Sequence, residues 1–255
     1  MTNIDINCDM GESFGHWKLG DDQAIMPYIT SANVACGAHA GDPNVMAETV
    51  RLAVKHKVAV GAHPGYPDLP GFGRRTMQLQ REEVVNTILY QLGALSAVAH
   101  ANGAELTHVK PHGALYNEAS QDRQLADSIV EAISRFSTSL ALVGLPNSQL
   151  EAAAHGARLP FLREGFADRA YEPNGLLRNR KLPDALIAAP ERAAEQALQL
   201  ARGQVTAADG STLVLQVDTI CIHGDTPGAA SIARAVREAL RGAGFNVAAP
   251  GVVQG

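Results

Sequence analysis

Acids, imidazoles and one lysine recur in this chain at one kind of place, directly after a short apolar run. Asp9 and Glu12 follow residues 4–8, His39 and Asp42 follow residues 32–36, and Lys110 and His112 follow residues 106–109. His63 and Asp68 follow residues 58–61, with Arg74 and Arg75 closing the same long loop. Glu164, Asp168 and Arg169 follow residues 161–162, and His223 and Asp225 follow residues 213–222. Carboxylates and imidazoles brought within reach of one another are the groups that carry general acid–base catalysis. Asp9, His39 and His63 also make an oxygen-plus-imidazole set suited to zinc and similar ions, although their spacing does not demand a metal.

A single acid or histidine after a strand is commonly a helix cap or a solvated loop residue. Asp42-Pro43 reads that way, as a capping side chain followed by a first helical residue, and Asp225-Thr226-Pro227 reads the same. His16, His56, His100 and His155 fall in loops or on helix faces and are assigned to surface or packing. For Asp9, Glu12, His39, His63, Lys110, His112 and His223 the bland explanation would have to be repeated at equivalent positions, which favours a shared site. The chain has no G-x-x-x-x-G-K-[ST], no G-x-G-x-x-G and no H-E-x-x-H. Gly11-Glu12-Ser13-Phe14-Gly15 matches G-x-S-x-G, but the residues after Ser13 make a poor helix start, so a serine nucleophile is discounted.

Convergence of these residues requires a scaffold that carries the ends of its strands to one rim. The apolar runs at 4–8, 32–36, 58–61, 106–109, 140–143, 161–162 and 213–222 are too short for helices. Helical periodicity separates them, as in Met46, Val50, Ala53, Val54, then Val85, Ile88, Leu92, Leu95, and later Ala194, Ala197, Leu198, Ala201. Pro43, Pro190 and Pro227 suit helix starts, and Gly103 and Gly203 suit helix ends. Strands apolar on both faces and alternating with helices predict a single-domain, seven-stranded β/α barrel over residues 1–255, with a doubly wound open sheet as the alternative. The loops at 64–80 and 171–183 are long enough to be functional.

Composition narrows the classes. The 255 residues carry 21 Lys+Arg against 26 Asp+Glu, a net charge of −5, with 46% of residues hydrophobic. Disorder is excluded, and so is the basic footprint of a nucleic-acid binder. No apolar stretch reads as a membrane span, and the N-terminus lacks a basic start and an apolar segment, so a cytoplasmic protein is expected. Cys8, Cys36 and Cys221 show no short spacing and are expected to be reduced, buried packing residues.

The runs Asn7-Cys8-Asp9-Met10-Gly11-Glu12, 32–43, Gly61-Ala62-His63-Pro64-Gly65-Tyr66-Pro67-Asp68, Gly71-Phe72-Gly73-Arg74-Arg75 and 109–117 resemble the LamB/YcsF family, whose bacterial members act as the A subunit of ATP-dependent 5-oxoprolinase. Arg163-Glu164, Arg169-Ala170-Tyr171 and His223-Gly224-Asp225 also fit. The resemblance implies a barrel similar to the polysaccharide deacetylases, cleavage of 5-oxo-L-proline to L-glutamate coupled to hydrolysis of ATP, accompanied by Mg2+, and partner subunits B and C. On that reading Asp9 or Glu12 acts as general base and His63 or His112 as acid. Lys110 with Arg74, Arg75 or Arg169 neutralises phosphate and oxyanion charge, and His39 and His223 complete the binding set. Without a Walker sequence, the nucleotide site is irregular or shared with a partner. Two rivals remain: a metal-dependent deacetylase or amidohydrolase with Asp9, His39 and His63 as ligands, and a non-catalytic binding subunit.

Overall fold

Seven strands close on themselves. In the computed structural model, which describes residues 2–226 and 228–250, the first half of the chain forms β1 (Asn3–Met10), α1 (Asp22–Ile25), β2 (Ser31–Ala35), α2 (Pro43–His56), β3 (Ala59–His63), α3 (Arg81–Ala101), β4 (Leu106–Val109), α4 (Gly113–Ala119) and α5 (Arg123–Phe136). There follow β5 (Ala141–Gly144), α6 (Gln149–Gly156), β6 (Phe161–Phe166), α7 (Pro190–Ala201), β7 (Gln204–Thr206), β8 (Thr212–Val214), β9 (Thr219–His223), α8 (Ala229–Gly242) and β10 (Asn246–Val247). Strands β1 to β6 and β9 hydrogen-bond in chain order, and β9 pairs back onto β1. Every pairing in the ring is parallel, because each connection is a crossover with room for a helix. The barrel, and not the open sheet, is therefore the fold.

Two of the expected strands change on folding. The run at 213–222 is not one strand: β8 pairs antiparallel with β7 in a hairpin, and β9 enters the barrel. Asp218 marks the break, accepting hydrogen bonds from the backbone and guanidinium of Arg163. The run at 161–162 extends to Phe166, which moves Glu164 out of the expected loop and into β6.

Helix boundaries follow the local signals. Asp42 caps α2, accepting from the amides of Asn44 and Val45 at 2.8 and 3.0 Å, with Pro43 next. Pro190 opens α7, and Gly103 and Gly203 leave α3 and α7 at positive φ. Pro227 lies outside the described residues, and the N-cap of α8 is Gly228, so among the described residues Asp225 caps no helix. The periodic residues of α7 are offset from its buried stripe, which runs through Ala193, Ala197 and Leu200. By length and composition α3, with 21 residues, is the one helix among the described residues that could cross a bilayer. It instead lays Val85, Ile88, Leu92 and Leu95 into the core of the barrel wall.

The expectation of strands apolar on both faces is corrected inside the ring. Side chains alternate along a strand: Ile4, Ile6, Cys8 and Met10 of β1 join the apolar core, and Asp5, Asn7 and Asp9 turn to the barrel axis. A polar column results. Thr219 donates to Asp5 at 2.5 Å, and Asn7 donates to Thr219 at 2.7 Å and to Glu164 at 3.1 Å. Asn33 donates to Asn7 at 2.8 Å and to Asp9 at 2.9 Å, and its carbonyl oxygen pairs with His108 at 2.8 Å. Gly61 makes room for that imidazole, since a Cβ there would stand 2.1 Å from His108 Nε2.

Burial pushes the Asp5 carboxyl from 3.8 up to about 6, although hydroxyls of Thr219, Thr30 and Ser31 favour its ionised form. Its folded value lies above the unfolded one, so the stability tied to protonation is complete below about 3.8 and is lost as pH rises through about 6. A shift of that size corresponds to about 3 kcal/mol. Asp5→Asn is expected to remove this slope whatever it does to the baseline, as read from denaturant titrations across the interval. A slope equal to that of the unaltered chain would show that Asp5 is not its source.

Candidate active site

The C-terminal ends of the barrel strands bring the polar residues to one mouth, where such folds carry their chemistry. Asp9 ends β1 one residue early, and Gly11, at φ +68°, turns the chain so that Glu12 points back inward. His63 is the last residue of β3, Lys110 and His112 follow β4, and His223 closes β9 beside Asp9 in register. Glycines let the imidazoles approach: a Cβ on Gly65 would stand 2.7 Å from His39, and one on Gly73 2.8 Å from His39 and 2.9 Å from His112.

Lys110 lies at the centre of the floor, with Nζ 2.9 Å from Asp9, 2.8 Å from Glu164 and 3.0 Å from Cys221 Sγ. Its charge is locked in: burial would lower its pKa, but Asp9, Cys221 and Glu164 carry it well above the ordinary lysine range. Burial would likewise raise Asp9, and His63 and Lys110 more than offset this, holding its carboxyl well below the usual range. Glu12 goes the other way, raised by burial and then by the charge of Asp9. His39 and His112 are held neutral by burial and by neighbouring imidazoles.

His63 and His112 are each anchored by a backbone carbonyl: His63 Nδ1 donates to Lys110 O at 2.7 Å and His112 Nε2 to Phe72 O at 2.9 Å. His39 stacks flat on His112, ring centroids 3.7 Å apart. His223 is oriented separately, with Nδ1 2.9 Å from Asp168 Oδ1 and its ring stacked on Phe166. One oxygen of Asp9 and one ring nitrogen of His223 lie within 4.8 Å of each other.

A cavity of about 510 Å3 opens above this floor, within the range of small-molecule sites. Asp9, Glu12, His63, Lys110, His112 and His223 line it, as do Arg74 and Arg169. His39 belongs to the cluster but sits behind His112 and does not line the cavity. Arg75 is turned away: its side chain is 67% exposed and paired with Asp68. Asp225, read as a cap, instead holds Arg74 at 2.6 Å and Arg180 at 3.5 Å on the rim. Among the described residues, those close enough to share one ion include Glu12 and His112 with His39 and His63, and not Asp9, which groups with Cys221 and His223. Ser13 exchanges hydrogen bonds with the backbone of Leu19 in a loop, far from the strand-to-helix elbow a nucleophilic serine needs.

Sequence reasoning missed Asn7, Asn33 and His108, and it missed the basic wall of Arg178, Arg180 and Lys181 carried by the long loop after β6. The period-two pattern Asp5, Asn7, Asp9 was the signal for the interior set. Burial and then the charge of Arg180 lower Arg169 to about 10, as befits crowded cations.

These features define a parallel β/α barrel with a buried acid, imidazole and lysine floor at its C-terminal mouth. The catalytic domain of a peptidoglycan N-acetylglucosamine deacetylase from Eubacterium rectale shares the fold, at 10% identity and a TM-score of 0.50 over 98% of this chain and 90% of that one. More specifically, the chain belongs to the LamB/YcsF family, whose sequence profile matches residues 4–254. It is 54% identical to the 5-oxoprolinase A subunit of Chloroflexus aggregans over 98% of this chain and 100% of the relative. The lactam utilization protein of Thermus thermophilus superposes with a TM-score of 0.93 at 49% identity, covering 98% and 100% of the two chains.

Proposed function

We propose that this chain is the lactam-handling A subunit of an ATP-dependent 5-oxoprolinase, working with subunits B and C to open 5-oxo-L-proline to L-glutamate. The observation that carries the reading is the Asp9 carboxylate, pinned in its ionised form by His63 and Lys110, within 4.8 Å of a His223 imidazole that Asp168 orients. A stabilised amide needs a water deprotonated on one side and its nitrogen protonated on the other. Asp9 suits the first task and His223 the second, in place of His63 or His112, whose free nitrogens face each other.

ATP with Mg2+, when bound, supplies a phosphoryl group to the lactam oxygen and so makes the ring carbon electrophilic. The donor set fits such an anion: Arg74, Arg169, Arg178, Arg180 and Lys181 surround the mouth, and cations of this kind neutralise charge during phosphoryl transfer. Lys110 is spent on Asp9 and Glu164 and acts by keeping Asp9 ionised.

The test is reconstitution with the partner subunits, measuring glutamate and ADP from 5-oxoproline and ATP. The assembly is expected to form both in step, and His223→Gln to lower kcat about 100-fold with KM changed only a few-fold. Unaltered turnover in that variant would place the chemistry elsewhere in the assembly and leave this chain a binding role.

A further inference from the structure

Two backbone carbonyls fix which nitrogens of the floor imidazoles carry hydrogen. A carbonyl oxygen only accepts, so His63 Nδ1, 2.7 Å from Lys110 O, and His112 Nε2, 2.9 Å from Phe72 O, are both protonated. In the neutral rings the remaining nitrogens, His63 Nε2 and His112 Nδ1, are both lone pairs, yet they face each other at 2.9 Å, and His63 Nε2 also stands 3.4 Å from Asp9 Oδ2. Two acceptors at that distance repel unless a proton or a metal ion shares the space. Glu12 Oε1 completes the arrangement, 3.4 Å from His112 Nδ1 and buried without a hydrogen-bond partner among the described residues.

We infer that Glu12, His63 and His112 hold one divalent transition-metal ion of the zinc class. Ligand bonds of about 2.0–2.2 Å put tetrahedral edges at roughly 3.3–3.6 Å. The Glu12–His112 separation already meets this, and the His63–His112 separation needs to open by a few tenths of an ångström. Imidazoles that ligate a metal through one nitrogen characteristically donate the other to a carbonyl or carboxylate, which fixes tautomer and ring direction. His63 and His112 already have that support. His39, parallel to His112 at 3.7 Å, directs its in-plane lone pairs alongside that point and not at it, so three protein ligands remain. All three line the cavity, which leaves the fourth position open to a solvent or substrate oxygen, the arrangement of a catalytic and not a structural site. The ion would deepen the proposed function by giving the attacking water a Lewis-acid seat beside Asp9, and to that extent it rests on that reading.

The test is metal titration of the full chain after chelator dialysis, with no lactam or nucleotide present, so its result is independent of ring opening. One equivalent of Zn2+ or Co2+ is expected to bind, with Co2+ giving the visible absorption of a four-coordinate nitrogen–oxygen site and raising the melting temperature. Glu12→Gln and His112→Gln are each expected to weaken binding about 100-fold or more while retaining cooperative unfolding, and Arg75→Ala to leave it unchanged. Absence of saturable binding, or imidazole 15N resonances showing a proton shared between His63 and His112 that Zn2+ does not displace, would overturn the site. Equal affinity in all three variants would overturn the ligand set. Metal binding without ring opening by the reconstituted assembly would reject the proposed function and leave the ion in place.

Discussion

Lys110→Met is expected to abolish ring opening by the reconstituted assembly, lowering kcat about 1,000-fold, and to destabilise the fold by about 3–5 kcal/mol. The lysine is buried, and its ammonium is the cation in contact with Asp9 at 2.9 Å and Glu164 at 2.8 Å. Methionine keeps the length of the stem and removes the charge, which leaves two carboxylates facing each other in a low-dielectric core. Removing one partner from a buried ionic set costs far more than an exposed ion pair contributes. The pH dependence gives an independent reading. In the unaltered chain Asp9 is held well below the usual carboxylate range, so its contribution is present above its unfolded value and is lost only as pH falls through the low folded one. Without Lys110 the Asp9 carboxyl rises, and stability is expected to decline from mildly acid to neutral pH. Denaturant unfolding across that range measures it, and a variant with the pH profile of the parent would show that Lys110 does not set the charge of the floor.

Asp9→Asn separates chemistry from folding. The amide oxygen retains the hydrogen bond from Asn33 and the contact with Lys110, and the amide nitrogen can face His63, 3.4 Å from the second carboxylate oxygen. Geometry is therefore largely kept while the proton acceptor is gone. Turnover is expected to fall about 1,000- to 10,000-fold, with KM for the lactam changed by less than about 10-fold. Steady-state kinetics of the reconstituted assembly give both numbers. A loss confined to KM would make Asp9 a binding residue, and catalysis would then need another base.

The barrel was readable from the sequence because its apolar runs are short and each breaks at once into charged residues, as at Asp9, His63 and Lys110. The interior of that barrel was not, because Asn7 and Asn33 sit between strongly apolar neighbours and a hydrophobic run absorbs one polar residue without changing its appearance. Only alternation over Asp5, Asn7 and Asp9 marks the inward face, and it becomes meaningful once ring closure supplies an inside. Arg74 and Arg75 show the limit of adjacency: one residue further along the chain reverses the direction of the side chain, so one lines the cavity and the other pairs with Asp68 on the surface. Asp42 and Asp225 precede proline in nearly the same pattern. The first caps a helix and the second holds two arginines, because α8 begins later than the motif suggests.

Hydrogens on Gly65 and Gly73 are all that separate the backbone from the stacked imidazoles. A floor packed to contact in this way leaves no room for a new side chain, so on the proposed function any change toward bulkier lactams falls to the arginine-bearing loop after β6, whose reach and sequence can vary while the glycine-backed imidazoles keep their places.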